Sequence, residues 1–115
     1  MERRSQLLKG VLDMCLLALI AEQPSYGYEM VRKLEARGLD LVSEGSIYPL
    51  LSRMQHQHLV EGYYEDSSSG PVRKYYRIRR EGEEHLARWR DDWTRLTMGV
   101  EMILQGEEVP EGGKE

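Results

Sequence analysis

Cysteine is almost missing: the 115-residue chain holds a single one, Cys15. One thiol excludes an intramolecular disulfide framework and any zinc site built on several thiolates. Cys15 lies within the apolar run LDMCLLALI and reads as a reduced core thiol. Long apolar runs are lacking too. That stretch is bounded by Lys9 and Glu22 and interrupted by Asp13, well short of the ~20 apolar residues of a membrane span. Glu2 and Asp13 also spoil the pattern of a signal peptide, so a cytoplasmic protein without membrane contact is expected. No Gly-rich phosphate loop occurs, and the Ser67–Gly70 stretch is a turn rather than a nucleophile elbow. The three imidazoles, His56, His58 and His85, have no Cys or Asp at metal-ligand spacing. Glu83–Glu84 and Asp91–Asp92 sit among Arg88, Arg90 and Arg95 on a solvated helix face, with nothing to build a pocket around them. The expectation is a non-enzyme with no catalytic residue, no metal and no cofactor.

What is present is unevenly placed. The net charge is −4, but residues 1–80 carry twelve Lys/Arg against ten Asp/Glu, and residues 81–115 carry four against ten. The basic share has one address, RKYYRIRR at residues 73–80, with five basic side chains in eight positions. A local cluster of this kind can meet phosphates even in an acidic chain, although many surface strands are basic for solubility alone.

Residues 5–22 read as one helix, apolar at Leu8, Leu12, Cys15, Leu16 and Leu19 and buried on most of its circumference. Ser25 is a fair N-cap for a second helix that stops at Gly38, with Gly27, Met30, Val31 and Leu34 facing inward. A third helix runs to about Gln57, capped by Ser43 or Ser46, with Pro49 in or near its first turn. Ile47, Leu50, Leu51 and Met54 face inward there, while Ser46, Tyr48, Ser52 and Arg53 stay outside. LVEGYYE and VRKYYRIR then flank DSSSGP, a β-hairpin with a mobile tip. In its second strand Val72, Tyr76 and Ile78 point one way, and Arg73, Tyr75, Arg77 and Arg79 the other. Residues 81–105 form a long helix and 106–115 a disordered acidic tail.

Helix, helix–turn–helix and a two-stranded wing make a mainly α (α+β) fold: a winged helix–turn–helix over residues 1–80, followed by the long C-terminal helix. A helix fits the major groove of double-stranded DNA and a basic hairpin can lie along the phosphates beside it. Short domains of this shape also serve as protein–protein adaptors. A basic wing beside exposed Tyr48 and Arg53 is the feature that favours DNA.

LLALIAEQPSYGYEMVRKL, SIYPLLSRMQHQHLV and GYYEDSSSGPVRKYYRIRREG resemble the PadR family of transcriptional regulators, over about residues 7–104. The single C-terminal helix is similar to the smaller subfamily, which includes multidrug-responsive repressors. The resemblance implies that the third helix reads DNA through Ser46, Tyr48 and Arg53, and that Arg73, Lys74 and Tyr75 of the wing touch its backbone. Where many members have glycine after the third helix, this chain has His58, and the exit of that helix is expected to be reshaped.

In the last helix Leu86, Trp89, Trp93, Leu96, Val100 and Ile103 follow a 3–4 spacing, an a/d seam through six positions. The winged domain needs no such cover, so the seam is expected to be a homodimer interface suited to a palindromic operator. Packing onto the first helix alone is the other outcome. The resemblance also matches Trp93 to a tryptophan that stacks on flat aromatic ligands, with Leu12, Leu16 and Trp89 nearby. Trp89 could instead fill that space, and Thr97 stands where a drug-binding relative has a carboxylate. The reading is a homodimeric repressor, released by a small aromatic effector or lacking an effector pocket altogether.

Overall fold

The computed structural model describes residues 3–67 and 69–110. The tip residue Ser68 and the last five residues of the expected acidic tail lie outside them. Two helices, not one, open the chain: α1 (Arg3–Lys9) and α2 (Leu12–Glu22). The break falls at Gly10, where the Gly10 and Val11 N–H groups donate back three residues to the Leu7 and Leu8 carbonyls. Glycine costs a helix interior up to about 1 kcal/mol relative to alanine, and no apolar periodicity can register that interruption. Leu12, Leu16, Leu17, Leu19 and Ile20 of α2 are buried and form the centre of the core.

Ser25 is no helix cap. It is fully buried in a two-residue strand β1 (Ser25–Tyr26), and its hydroxyl donates to the Gln23 carbonyl and accepts from Lys33 Nζ at 2.8 Å. α3 (Gly27–Ala36) therefore starts from Tyr26, whose N–H donates to the Glu29 carboxylate. It buries Gly27, Met30, Val31 and Leu34 as expected, and ends at Gly38 in a left-handed turn with φ +96°.

α4 (Glu44–His56) is capped at Ser43, and Ser46 donates its hydroxyl to the Ser43 carbonyl. Pro49 sits just past the first turn, near where it was expected, so the Gly45 carbonyl loses its ladder partner on the exposed side. Ile47, Leu51 and Met54 are buried. The exit of α4 keeps its left-handed turn: His58 has φ 63°, and Leu59 N donates to the Met54 carbonyl at 2.9 Å. A histidine in that conformation costs less than a β-branched residue, which is why the turn survives without glycine.

β2 (Val60–Ser67) and β3 (Gly70–Ile78) pair antiparallel from Val60↔Ile78 to Ser67↔Gly70, with an irregularity between Glu65 and Ser67. The hairpin is tighter than DSSSGP suggests, since Ser67, Gly70 and Pro71 belong to the strands. β1 joins on the other side through Ser25↔Tyr76 and Tyr26↔Tyr75, giving a three-stranded sheet in the order β1-β3-β2. A two-residue strand is too short for any alternation to reveal.

α5 (Arg80–Gln105) closes the fold. Gly82 is buried against the Leu59 carbonyl so closely that a Cβ there would strike the backbone. Leu86 is 7% exposed within the core, and Trp89 packs against it. The winged domain thus continues past residue 80 into the first turns of α5. No helix among the described residues is long and apolar enough to cross a membrane.

Candidate functional site

The proposed reading surface is built on α4 and the wing. Tyr48 is 44% exposed and its ring lies against the bare Cα of Gly27, where a methyl group would sit 2.6 Å from the phenol oxygen. The phenol donates to the Glu44 carboxylate at 2.6 Å. That bond, with partial burial, pushes its pKa up to about 12, so Tyr48 is a firm neutral donor. Tyr48, Glu44, Tyr26, Gly27, Arg73 and Lys74 line one cleft of about 460 Å³ between α3, α4 and the wing.

Arg73 and Lys74 reach this cleft from opposite faces of β3, as neighbours on a strand must. Arg73 donates to the Tyr26 hydroxyl at 2.8 Å, with its guanidinium 4.5 Å from the Tyr26 ring centroid. Lys74 lies 5.3 Å from the Tyr76 ring centroid on the other face. Tyr75 is the middle of a stack, 5.3 Å from Tyr26 edge-on and 5.8 Å from Tyr63 face-on, and Arg77 covers Tyr63 at 4.1 Å. Its half-buried ring supports the wing root, which weakens its case as a phosphate contact.

Ser46 and Arg53 stand apart from that cleft. Tyr48 and Arg53 are five positions apart, about 140° around a helix. Arg53 Nη2 lies 3.8 Å from Asp13 of α2, so the expectation that it shares the wing's side with Tyr48 is corrected. Ser46, on the same flank as Arg53, borders a hollow with Leu8, Lys9 and Leu41. Both side chains are exposed. Glu44 was missed, although its spacing to Tyr48, one helical turn, is visible in the sequence.

A second concavity, about 260 Å³, lies between α5 and the α1–α2 junction. Its walls are Trp89, Trp93 and Leu96 on one side and Gly10, Val11 and Met14 on the other, with Asp13 and Asp92 at the edge. Leu12 and Leu16 do not line it, because α2 turns them into the core, at 7% and 0% exposure. Val11 and Met14 occupy the flank they were expected to fill. Thr97 spends its hydroxyl on the Trp93 and Thr94 carbonyls, and the negative charge comes from Asp13 and Asp92 instead. Burial, then Asp13, pushes the neighbouring Cys15 thiol up, which keeps it protonated and unreactive.

Beyond the groove α5 is bare. Leu96 and Ile103 are 60% and 77% exposed, and Trp93 and Val100 are open as well. Leu86, by contrast, serves its own chain.

Residues 16–88 match the Transcriptional regulator PadR-like family. The chain belongs to that family. A crystal structure of a PadR-like transcriptional regulator from Bacillus cereus is similar at 49% identity, covering 89% of this chain and 99% of its own, with a TM-score of 0.80. A Streptococcus transcriptional regulator follows at 41% identity, covering 85% and 96%, with a TM-score of 0.76. An uncharacterized protein of Lysinibacillus sphaericus is 32% identical over 105 residues, 90% of this chain and 96% of that protein. Membership in the PadR-like family makes this a DNA-binding transcriptional regulator rather than an enzyme, in keeping with its winged fold. Among the described residues no group of three or more His, Cys, Asp or Glu could hold a metal ion.

Proposed function

We propose that this PadR-like protein is a homodimeric repressor that reads a palindromic operator in double-stranded DNA and is released by a small flat aromatic compound. The observation that carries the dimer is the bare half of α5. Trp93 and Leu96, which border the groove on one side, continue with Val100 and Ile103 into one apolar line that the described residues of their own chain leave largely exposed. A contiguous line of large apolar side chains is a binding surface, and a second copy of the same helix satisfies it with twofold symmetry.

On DNA, α4 enters the major groove with Tyr48 on its wing side and Ser46 and Arg53 on its other exposed flank, and Arg73 and Lys74 grip the backbone. The cleft between α4 and the wing, with both cations at its walls, supports this assignment. Tyr75 acts behind them by holding the wing root. The effector site is the groove of Trp89 and Trp93, whose rings suit stacking and whose Asp92 favours a cationic ligand. In a dimer two such grooves lie near the interface, so a ligand there can shift the spacing of the two reading heads.

The test is selection of bound sequences from a random DNA pool, followed by sedimentation of the free protein. Enrichment of an inverted repeat and a dimer at micromolar concentration support the proposal. A pool without enrichment, or a monomer, overturns it. For the effector, flat aromatic cations should quench tryptophan emission and weaken operator binding, and operator must weaken the ligand by the same factor. Quenching without that reciprocity would remove the release mechanism.

A further inference from the structure

At the exit of α4 lies a hollow of about 530 Å³ that shares only Lys74 with the reading surface above. Its walls are Ser52, Gln55, His56, His58 and Lys74. Each of these side chains can donate a hydrogen bond, and none is a carboxylate. His58 is also the one non-glycine residue with positive φ among those described. A glycine would hold that left-handed turn without penalty, yet the chain places an imidazole there, aimed beside a lysine. Backbone outliers of this kind gather at sites of function.

The surroundings leave the hollow positive. From β3, Lys74 stretches across the bare Cα of Gly62, with its ammonium 6.0 Å from the Tyr64 ring centroid of β2 and 5.3 Å from that of Tyr76. The nearby carboxylates are engaged elsewhere: Glu61 of β2 pairs with Arg77 at 3.4 Å on the opposite sheet face, and Glu44 of α4 accepts from Tyr48. Arg53 of α4 turns to Asp13 on the far flank. Glu65 and Asp66, the remaining carboxylates of β2, lie outward of Tyr64 and are not among the walls of the hollow.

We propose that this hollow seats a backbone phosphate of duplex DNA, and that His56 and His58 make its grip depend on protons. The inference rests on the DNA-binding reading and adds two residues to it. With neutral imidazoles the seat relies on Lys74 and on neutral donors. Protonated, His56 and His58 each add a positive charge and a charge-assisted hydrogen bond to the phosphate. Imidazoles ordinarily change charge between about pH 5 and 8. DNA then favours the protonated form, so by linkage its affinity rises as pH falls through that range.

The experiment measures anisotropy of a rhodamine-labelled, mixed-sequence duplex with the full-length protein at about pH 8 and about pH 6, at fixed ionic strength. The wild type should bind roughly tenfold more tightly at the lower pH. Its log–log salt slope should steepen by about 0.9 for each imidazolium engaged. His56→Gln combined with His58→Gly should lose that acid-side gain, and glycine keeps the left-handed turn intact. His85→Gln, on α5 beside Trp89, should keep the gain in full. His56→Lys supplies a permanent charge and should raise the affinity at about pH 8 towards the acid value. A pH response that survives in the double variant, or a flat profile in a wild type that does bind, overturns the seat and leaves the DNA reading standing. A wild type that binds duplex at neither pH overturns both.

Discussion

Along α5, Gly82, Leu86 and Trp89 turn into the protein's own core, whereas Trp93, Leu96, Val100 and Ile103 carry the same 3–4 spacing into solvent. The division falls at the groove where Trp89 and Trp93 face Val11 and Met14. One uninterrupted pattern therefore holds two kinds of contact. The proximal turns belong to the fold, and the distal turns are left exposed, free for the second chain proposed above. An a/d seam states that a stripe will be buried, and only the length of the neighbouring α2 decides how much of it the chain buries itself.

The comparison breaks most visibly at its distal end. Leu96→Glu with Ile103→Glu should leave a folded monomer in sedimentation while thermal unfolding of the monomer stays intact. Two side chains in each protomer, worth about 1.5–3 kcal/mol each of burial, amount to about 6–12 kcal/mol per dimer, roughly ten-thousandfold or more in dimer dissociation. Loss of folding instead would place those residues in the domain core. Next in size is Leu86→Ala, which removes a buried side chain and should cost about 2–4 kcal/mol in denaturant unfolding. If this variant instead unfolds like the wild type, the proximal turns are not part of the fold.

The two tryptophans sharpen the boundary. Trp89→Ala should lower stability by about 1–3 kcal/mol, because its ring packs on the core and edge-on to His85, 4.9 Å between centroids. Trp93→Ala should leave monomer stability nearly unchanged and abolish quenching by aromatic cations. Equal unfolding midpoints for both would erase the division. The smallest effect is expected at Asp91→Asn, which breaks the exposed 3.3 Å pair with Arg95 one turn on. Its cost should not exceed about 0.5 kcal/mol by the same denaturant titration.

Periodic features were legible in the sequence. The inward faces of α3 and α4, the hairpin and the apolar spacing of the seam all follow from patterns that repeat over several turns or strands. The exit at His58, by contrast, was expected to be reshaped and kept its left-handed turn. The features that escaped are those with no period. A single glycine splits α1 from α2, and two residues make β1, which moves Ser25 from a cap to the sheet interior. The same limit applies to the two sites. Alternation placed Arg73 and Tyr75 on one face, but not the tyrosine stack that occupies Tyr75. The resemblance named Leu12 and Leu16 as pocket walls. A broad apolar helix has two neighbours, and spacing alone does not say which flank meets the core and which meets α5. Arg53 was misplaced because exposure fixes that a side chain points outward and not in which direction.

The wing owes its mechanical character to the shortness of β1. From Tyr75 towards Ile78, β3 runs through or beside the three-stranded root, where Arg73 also ties back to Tyr26. From Lys74 outward to Gly70 it has β2 alone for company. Two-stranded ribbons twist more freely than wider sheets. The hairpin is thus a cantilever, clamped at its base and compliant at its free end. Its outer half can follow a narrower or wider DNA groove while the strain dies out before reaching Tyr76 and the core. A regulator built this way can accept sites that differ in local shape at the wing without re-aiming the helix that reads the bases.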